Sequence, residues 1–284
     1  MKKLLSLLIV LVLAVSMFAG CGSSEKTYTL ASAVESSIGS DNKISNYVVS
    51  LVLDENSKIV AARIDCVETT LTVENGAIAN VATVTSKVEL GENYKMTAGT
   101  FAQQTKAFED AIVGKSAEEV AALDLALVTG CTMPYSPFSF KAVIAKAFAS
   151  TNKTTFKTSE AITVGVAASM KVADGKASGD FASVVMAGGN IAAVILDCNE
   201  YSATVANNAI SVSEYKGTKV ELGESYKMTA GTFAQQTEAF ENYVTGKSAS
   251  DIASLDFSLI TGCTMPYTPY SFQAVLTKAI GLAR

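Results

Sequence analysis

Residues 90–105, LGENYKMTAGTFAQQT, recur as LGESYKMTAGTFAQQT at residues 222–237, with a single difference between the two stretches. The spacing of 132 residues holds without a gap over residues 65–146 and 197–278. A period of this length is far longer than the unit of a solenoid and matches the size of a whole domain. The sequence therefore predicts two tandem copies of one domain.

Each copy begins with a predicted β-hairpin. In the first copy the β-rich residues 48–53 and 59–64 flank Asp54-Glu55-Asn56-Ser57-Lys58, a composition typical of a turn. Residues 184–196 repeat this pattern around a Gly-Gly turn. Both patterns predict antiparallel strand pairs with loops longer than two residues.

Helices follow the hairpin in each copy. Phe101, Phe108 and Ile112 share one face of a helix predicted for residues 100–113. Ser116-Ala117-Glu118-Glu119 is a capping box that opens a short second helix. The last helix of each copy is expected at about residues 138–149 and 270–283. The predicted fold class is α+β, with each copy an antiparallel sheet that carries packed helices and a C-terminal helix.

The first residues have the pattern of an export signal. Lys2 and Lys3 precede the apolar residues 4–18, which are too few to span a bilayer comfortably. The run closes on Phe18-Ala19-Gly20-Cys21, which resembles the bacterial lipobox, where small residues precede a Cys that receives a lipid. We therefore expect a lipoprotein anchored through Cys21 to the extracytoplasmic face of the cell membrane. An ordinary signal peptide and an uncleaved anchor helix are the alternatives.

Short polar stretches supply the remaining boundaries. Residues 22–26 are small and polar, as an unstructured spacer is, and residues 150–159 are rich in Thr and Lys. The predicted segments are a signal peptide at 1–20, a tether at 21–27, a first copy at 28–149, a linker at 150–159 and a second copy at 160–284.

The composition excludes several classes of function. The chain has no His, which excludes Ser-His-Asp and Cys-His catalysis and most zinc sites. The formal net charge is −5 and no basic cluster is present, so nucleic acid is not an expected partner. Chemistry must come from carboxylates, hydroxyls, thiols or a bound cofactor. No nucleophile–base pair of the kind that hydrolases use is visible.

Two identical turns stand before the last helices. They are Thr129-Gly130-Cys131-Thr132 and Thr261-Gly262-Cys263-Thr264, with Asp124 and Asp256 upstream. Together with the hairpin and the Ala-rich final helix, they resemble the FMN-binding domains of bacterial extracytoplasmic electron-transfer proteins. In that family an acidic residue precedes Ser-Gly-Ala-Thr, and a flavin transferase attaches FMN to the Thr through a phosphodiester bond.

The resemblance implies covalent FMN on Thr132 and Thr264. It assigns cofactor-binding positions to Thr129, Gly130, Cys131, Thr261, Gly262, Cys263, Asp124 and Asp256. The turns depart from the family pattern, because the Asp-to-Thr spacing is two residues longer, Cys replaces Ala, and Met133-Pro134-Tyr135 follows. A turn and helix cap without a ligand is the alternative, since Thr and Gly are common at such positions.

Two functions follow from these two interpretations. The first is a membrane-tethered electron carrier with one FMN in each copy, modified by a flavin transferase and served by redox partners. The second is a non-enzymatic lipoprotein that binds a small molecule or an envelope partner without flavin. Tyr94-Lys95-Met96 and Gln103-Gln104, which recur in the second copy, fit either a planar ligand or a loop that caps the following helix.

Four cysteines remain beyond the lipobox: Cys66, Cys131, Cys198 and Cys263. An extracytoplasmic compartment permits disulfides, and pairing within each copy, Cys66 with Cys131 and Cys198 with Cys263, is the simplest of three connectivities. Four small buried thiols are the alternative.

Overall fold

The computed structural model describes residues 24–132, 140–264 and 272–284. This part of the chain combines helices with antiparallel sheets, so the fold class is α+β. The elements of the first repeat are β1 (Lys26–Ile38), β2 (Lys43–Leu53), β3 (Ile59–Thr70), β4 (Val73–Glu74), β5 (Ala77–Ile78), β6 (Val81–Val84), α1 (Lys87–Leu90), β7 (Lys95–Met96), β8 (Gly99–Thr100), α2 (Phe101–Ile112), α3 (Ala117–Ala121) and α4 (Phe140–Ala149).

The remaining elements are β9 (Lys153–Thr158), β10 (Ile162–Ala173), β11 (Lys176–Ala187), β12 (Asn190–Ala206), β13 (Ala209–Val212), α5 (Lys219–Leu222), β14 (Lys227–Met228), β15 (Gly231–Thr232), α6 (Phe233–Val244), α7 (Ala249–Ala253) and α8 (Phe272–Gly281). Short 3-10 helices lie at Gly91–Asn93, Leu125–Leu127, Gly223–Ser225 and Phe257–Leu259. The spacing of 132 residues found in the sequence also relates α2 to α6, α3 to α7 and α4 to α8.

Both predicted hairpins are present, and their turn residues explain why. β2 pairs with β3, and β11 pairs with β12. In the first turn the carboxylate of Asp54 accepts hydrogen bonds from the N–H groups of Asn56 (2.9 Å) and Lys58 (2.8 Å). The second loop is shorter than predicted, because Ala187 pairs with Asn190 and only two residues lie between them. These are Gly188 and Gly189, with φ angles of +55° and +85°, which glycine adopts without a steric penalty.

The long strands form two antiparallel sheets that exchange edge strands. The order of the first sheet is β3-β2-β1-β9, and that of the second is β13-β12-β11-β10-β6. β9 pairs with β1, which places Phe156 opposite Tyr28. β6 comes from the first repeat but pairs with β10, which places Val84 opposite Met170.

This exchange corrects the predicted division at residues 150–159. That segment holds an edge strand of the first sheet instead of an unstructured linker, and Lys26 and Thr27 of the predicted tether belong to β1. The physical reason is that an added strand satisfies the unpaired N–H and C=O groups at a sheet edge. A segment rich in Thr and Lys can do this because one apolar side chain, Phe156, is enough to reach the core.

The two sheets pack face to face, with two apolar clusters between them. These clusters contain side chains of both repeats, so each sheet covers the inner face of the other and shields it from solvent. The first repeat contributes Leu30, Val34, Ile44, Val48, Val52 and Val67, and the second contributes Val164, Val166, Met170, Phe181, Val185 and Ile195.

Helices cover the outer faces, which gives the order helices, sheet, sheet, helices. α2 and α4 pack on the first sheet, and α6 and α8 pack on the second. The predicted apolar face of α2 is confirmed, because Phe101, Phe108 and Ile112 are all buried. Gly165 lets α8 approach β10 so closely that a Cβ atom would overlap the carbonyl oxygen of Ala279. Within the described residues, no helix is both long enough and apolar enough to cross a membrane.

Candidate functional site

The two Thr-Gly-Cys-Thr turns follow short 3-10 helices whose first residues are capped by aspartate. The carboxylate of Asp124 accepts a hydrogen bond from the N–H of Ala126 at 3.0 Å. Asp256 does the same for the N–H of Ser258 at 3.0 Å. Both carboxylates therefore cap the short helix that precedes the turn. The family resemblance had instead assigned them to cofactor binding.

Glycine shapes each turn. Gly130 has a φ angle of +82° and Gly262 one of +85°, in the left-handed region that strains other residues. After Gly130 the chain directs Cys131 into the core, with 7% of the residue exposed, and leaves Thr132 exposed. The turn therefore separates a buried thiol from a hydroxyl that solvent reaches.

A buried glutamine holds the exposed threonine in place. In the first repeat the side-chain oxygen of Gln104 accepts hydrogen bonds from the N–H of Thr132 (2.8 Å) and from its hydroxyl (3.3 Å). In the second repeat Gln236 accepts the same pair from Thr264, at 2.8 Å and 3.1 Å. Both glutamines have no exposed surface. The arrangement is therefore built twice, from helix and turn residues 28 positions apart.

The other end of each glutamine amide is unsatisfied. The Nε2 atoms of Gln104 and Gln236 are buried and have no hydrogen-bond partner in the described part of the chain. An unpaired buried donor costs about 1–3 kcal/mol, so such atoms mark places where a further acceptor would stabilise the structure. A phosphate or carbonyl oxygen of a ligand is an acceptor of this kind.

The last helix of each repeat begins several residues beyond its turn. α4 begins at Phe140 and α8 at Phe272, eight residues after Thr132 and Thr264. Residues 133–139, with the Met-Pro-Tyr departure, and the matching residues 265–271 lie outside the described residues.

The two glutamines of the sequence motif have different roles. Gln103 belongs to the capping box of α2, because its side chain accepts from the N–H of Thr100 at 2.8 Å and its own N–H donates to the Thr100 hydroxyl. The side chain of Gln104 instead accepts a hydrogen bond from the N–H of Thr132. Sequence reasoning missed this second contact, although the identical Gln-Gln pair in both repeats was the available signal.

Tyr94 is engaged by the protein itself. The ammonium group of Lys87 lies 4.8 Å from the centre of the Tyr94 ring, and the Phe101 ring meets it nearly edge-on at 6.2 Å. In the second repeat Lys219 covers Tyr226 at the same distance of 4.8 Å. These contacts favour the capping loop over the alternative of a ring that stacks on a planar ligand.

The predicted disulfides are absent from the structure. Cys66 and Cys131 are thiols in one apolar cluster, and Cys198 and Cys263 are thiols in the corresponding cluster of the second repeat. Burial raises the pKa of Cys66 to about 12 and also raises that of Cys198. These cysteines therefore serve as small apolar side chains in the core, the alternative that the sequence had left open.

No protein-family model, curated protein or solved structure matches this chain.

Proposed function

We propose that the protein is an extracytoplasmic electron carrier, tethered to the membrane by a lipid on Cys21 and carrying FMN on Thr132 and Thr264. The FMN would supply the electron transfer, and the protein would hold it at the surface. A flavin transferase and redox partners outside the membrane complete the proposed system.

The observation that carries this proposal is the duplicated pairing of an exposed threonine with a buried glutamine. Attachment needs a hydroxyl that the transferase can reach, and Thr132 is exposed on a turn of small residues. Gln104 Oε1 fixes the backbone N–H of Thr132, which holds the exposed hydroxyl at a defined place on the turn. The same relation holds between Gln236 and Thr264.

The replacement of the family's Ala by Cys is compatible with attachment. The side chain of Cys131 packs in the apolar core, where an Ala side chain would also point, so it adds no bulk on the side of Thr132. Attachment would form a bond between the Thr132 oxygen and the FMN phosphorus, break the bond to the leaving group of the flavin donor and release the hydroxyl proton. The hydroxyl would also give up its 3.3 Å bond to Gln104.

The role of the glutamine can be tested on a single site. In a Thr264→Val background, Gln104→Met should lower the fraction of chains that carry flavin when they are made together with a flavin transferase. The readout is flavin absorbance that persists after denaturation. The matched control is Gln103→Met, which alters the capping box but leaves the contact to Thr132. Equal flavin content in the two variants would count against positioning by Gln104.

One observation favours the second candidate function, a lipoprotein that binds a small molecule without flavin. A cavity of about 470 Å³ lies on the second repeat between α6, β12 and residues 151–154, away from the Thr-Gly-Cys-Thr turn. Its volume falls in the range of small-molecule sites.

A further inference from the structure

The cavity on the second repeat contains the carboxyl group of Glu241, whose equivalent in the first repeat pairs with arginine. Glu241 lines the cavity together with Asn152, Thr154, Thr237, Glu238 and Asn242. The spacing of 132 residues makes Glu109 its equivalent in the first repeat. Glu109 and Glu241 therefore occupy equivalent positions in the two repeats.

In the first repeat two guanidinium groups pair with the glutamate. Glu109 is almost fully buried, and one of its carboxylate oxygens accepts from the N–H of Ile64 at 2.8 Å. The other oxygen lies 2.9 Å from Arg284 Nη2 and 3.5 Å from Arg63 Nη1. The buried negative charge is compensated by charge-assisted hydrogen bonds.

The second repeat keeps the carboxylate and its backbone donor but lacks both arginines. The N–H of Leu196 donates to Glu241 Oε1 at 2.7 Å, as that of Ile64 does for Glu109. The positions equivalent to Arg63 and Arg284 are Ile195 and Asn152. The second oxygen of Glu241 consequently has no ion-pair or hydrogen-bond partner in the described part of the chain.

The one lysine at the cavity does not replace the arginines. Lys153 donates to the carbonyl oxygen of Phe148 at 2.7 Å and forms no ion pair with Glu241. The other charged groups that act on Glu241 are the carboxylates of Asp197 and Glu238. Burial, with these two carboxylates, raises the pKa of Glu241 to about 8. The cavity is therefore short of positive charge.

We propose that this cavity binds a small molecule carrying a guanidinium group, which pairs with Glu241 as Arg284 pairs with Glu109. A guanidinium fits because its planar fork of donors can reach a carboxylate and neighbouring side-chain oxygens together. Thr154, Thr237 and Asn242 supply such oxygens around the cavity. The inference rests on the second candidate function and is independent of flavin on the threonines.

Isothermal titration of the mature protein with L-arginine and with methylguanidinium tests the proposal. We expect one binding event per chain for both ligands, and none for L-citrulline, which has nearly the same shape but no charge. Glu241→Gln should weaken arginine binding at least tenfold, whereas Glu92→Gln, at an exposed residue of the first repeat, should leave it unchanged.

A second variant distinguishes loss of the binding site from misfolding of the Glu241→Gln protein. Asn152→Arg places a guanidinium at the position equivalent to Arg284, so it should abolish arginine binding and raise the midpoint of thermal unfolding. Equal binding of citrulline, unchanged affinity in Glu241→Gln, or no heat at millimolar arginine would each overturn the proposal. Flavin attachment is read separately by mass, so either idea can fail without the other.

Discussion

The shared interior between the two sheets predicts that one repeat cannot fold alone. A fragment of residues 24–159 retains β9 but loses the second sheet, which covers its inner face. Six large aliphatic side chains of the first repeat, each at most 1% exposed, would then face water: Leu30, Val34, Ile44, Val48, Val52 and Val67. At about 1.5–3 kcal/mol for each side chain, the loss is roughly 9–18 kcal/mol. This loss is comparable with the whole stability of a typical domain, about 5–15 kcal/mol.

The assay compares three samples by circular dichroism, urea unfolding and sedimentation. Residues 24–284 should unfold cooperatively as a monomer, whereas residues 24–159 alone should lack a cooperative transition or self-associate. Addition of residues 160–284 should restore a one-to-one complex with a cooperative transition, because the two inner faces cover each other. A monomeric fragment 24–159 that unfolds cooperatively near the midpoint of residues 24–284 would refute the shared core.

Three further predictions concern packing, pH and anchoring. In urea titrations, Gly165→Ala should lower the free energy of unfolding by at least about 2 kcal/mol, because the new methyl group overlaps the backbone of α8. The control Gly281→Ala has no atom within 4 Å of its added methyl group and should change the free energy of unfolding by less than about 1 kcal/mol. Burial raises the pKa of Asp65 and Asp197 to about 7, so the native protein holds protons that the unfolded chain releases. The stability that these two protonated groups contribute is therefore lost as pH rises through 7. The free energy of unfolding should fall by about 2–3 kcal/mol for each carboxyl between pH 5 and pH 8, and an unchanged urea midpoint would exclude this. Cys21→Ser should move the protein from the membrane fraction to the soluble fraction or block its processing, whereas unaltered fractionation of a mature chain without lipid would contradict the lipoprotein assignment.

Local sequence signals located the two hairpins and the longer helices, but not the strands β1, β9 and β10. Asp54 and the Gly188-Gly189 pair reverse the chain where the hairpins turn, and the capping box at Ser116 opens α3 as expected. These features depend on residues a few positions apart, so their physics can be read from the sequence.

Packing between the repeats could not be predicted from the same local signals. Residues 48–53 are apolar at nearly every position, and the structure shows why: Val48 and Val52 face the other sheet, while Val49 and Leu51 face the helices. A continuous apolar strand indicates burial on both faces, but it does not say which element covers each face. The exchange of β6 and β9 depends on that choice.

The candidate site shows the same limit. The resemblance of the turn to the family tetrapeptide implied Thr132 as the attachment residue, whereas the local roles of Gly and Thr indicate only a turn. The contact from Gln104 depends on how α2 packs beside the turn, so no local rule could supply it. The cavity at Glu241 likewise depends on how α6 packs beside β12 and residues 151–154, which lie far apart in the sequence.

Intact mass of the mature protein tests the attachment of flavin most directly. When the chain is made together with a flavin transferase and a supply of flavin, two FMN masses should be added. Thr132→Val should leave one, and Thr132→Val with Thr264→Val should leave none, while both variants keep the circular dichroism of the parent. An unmodified mass, under conditions that flavinylate an authentic member of the FMN-binding family, would contradict the proposed electron carrier.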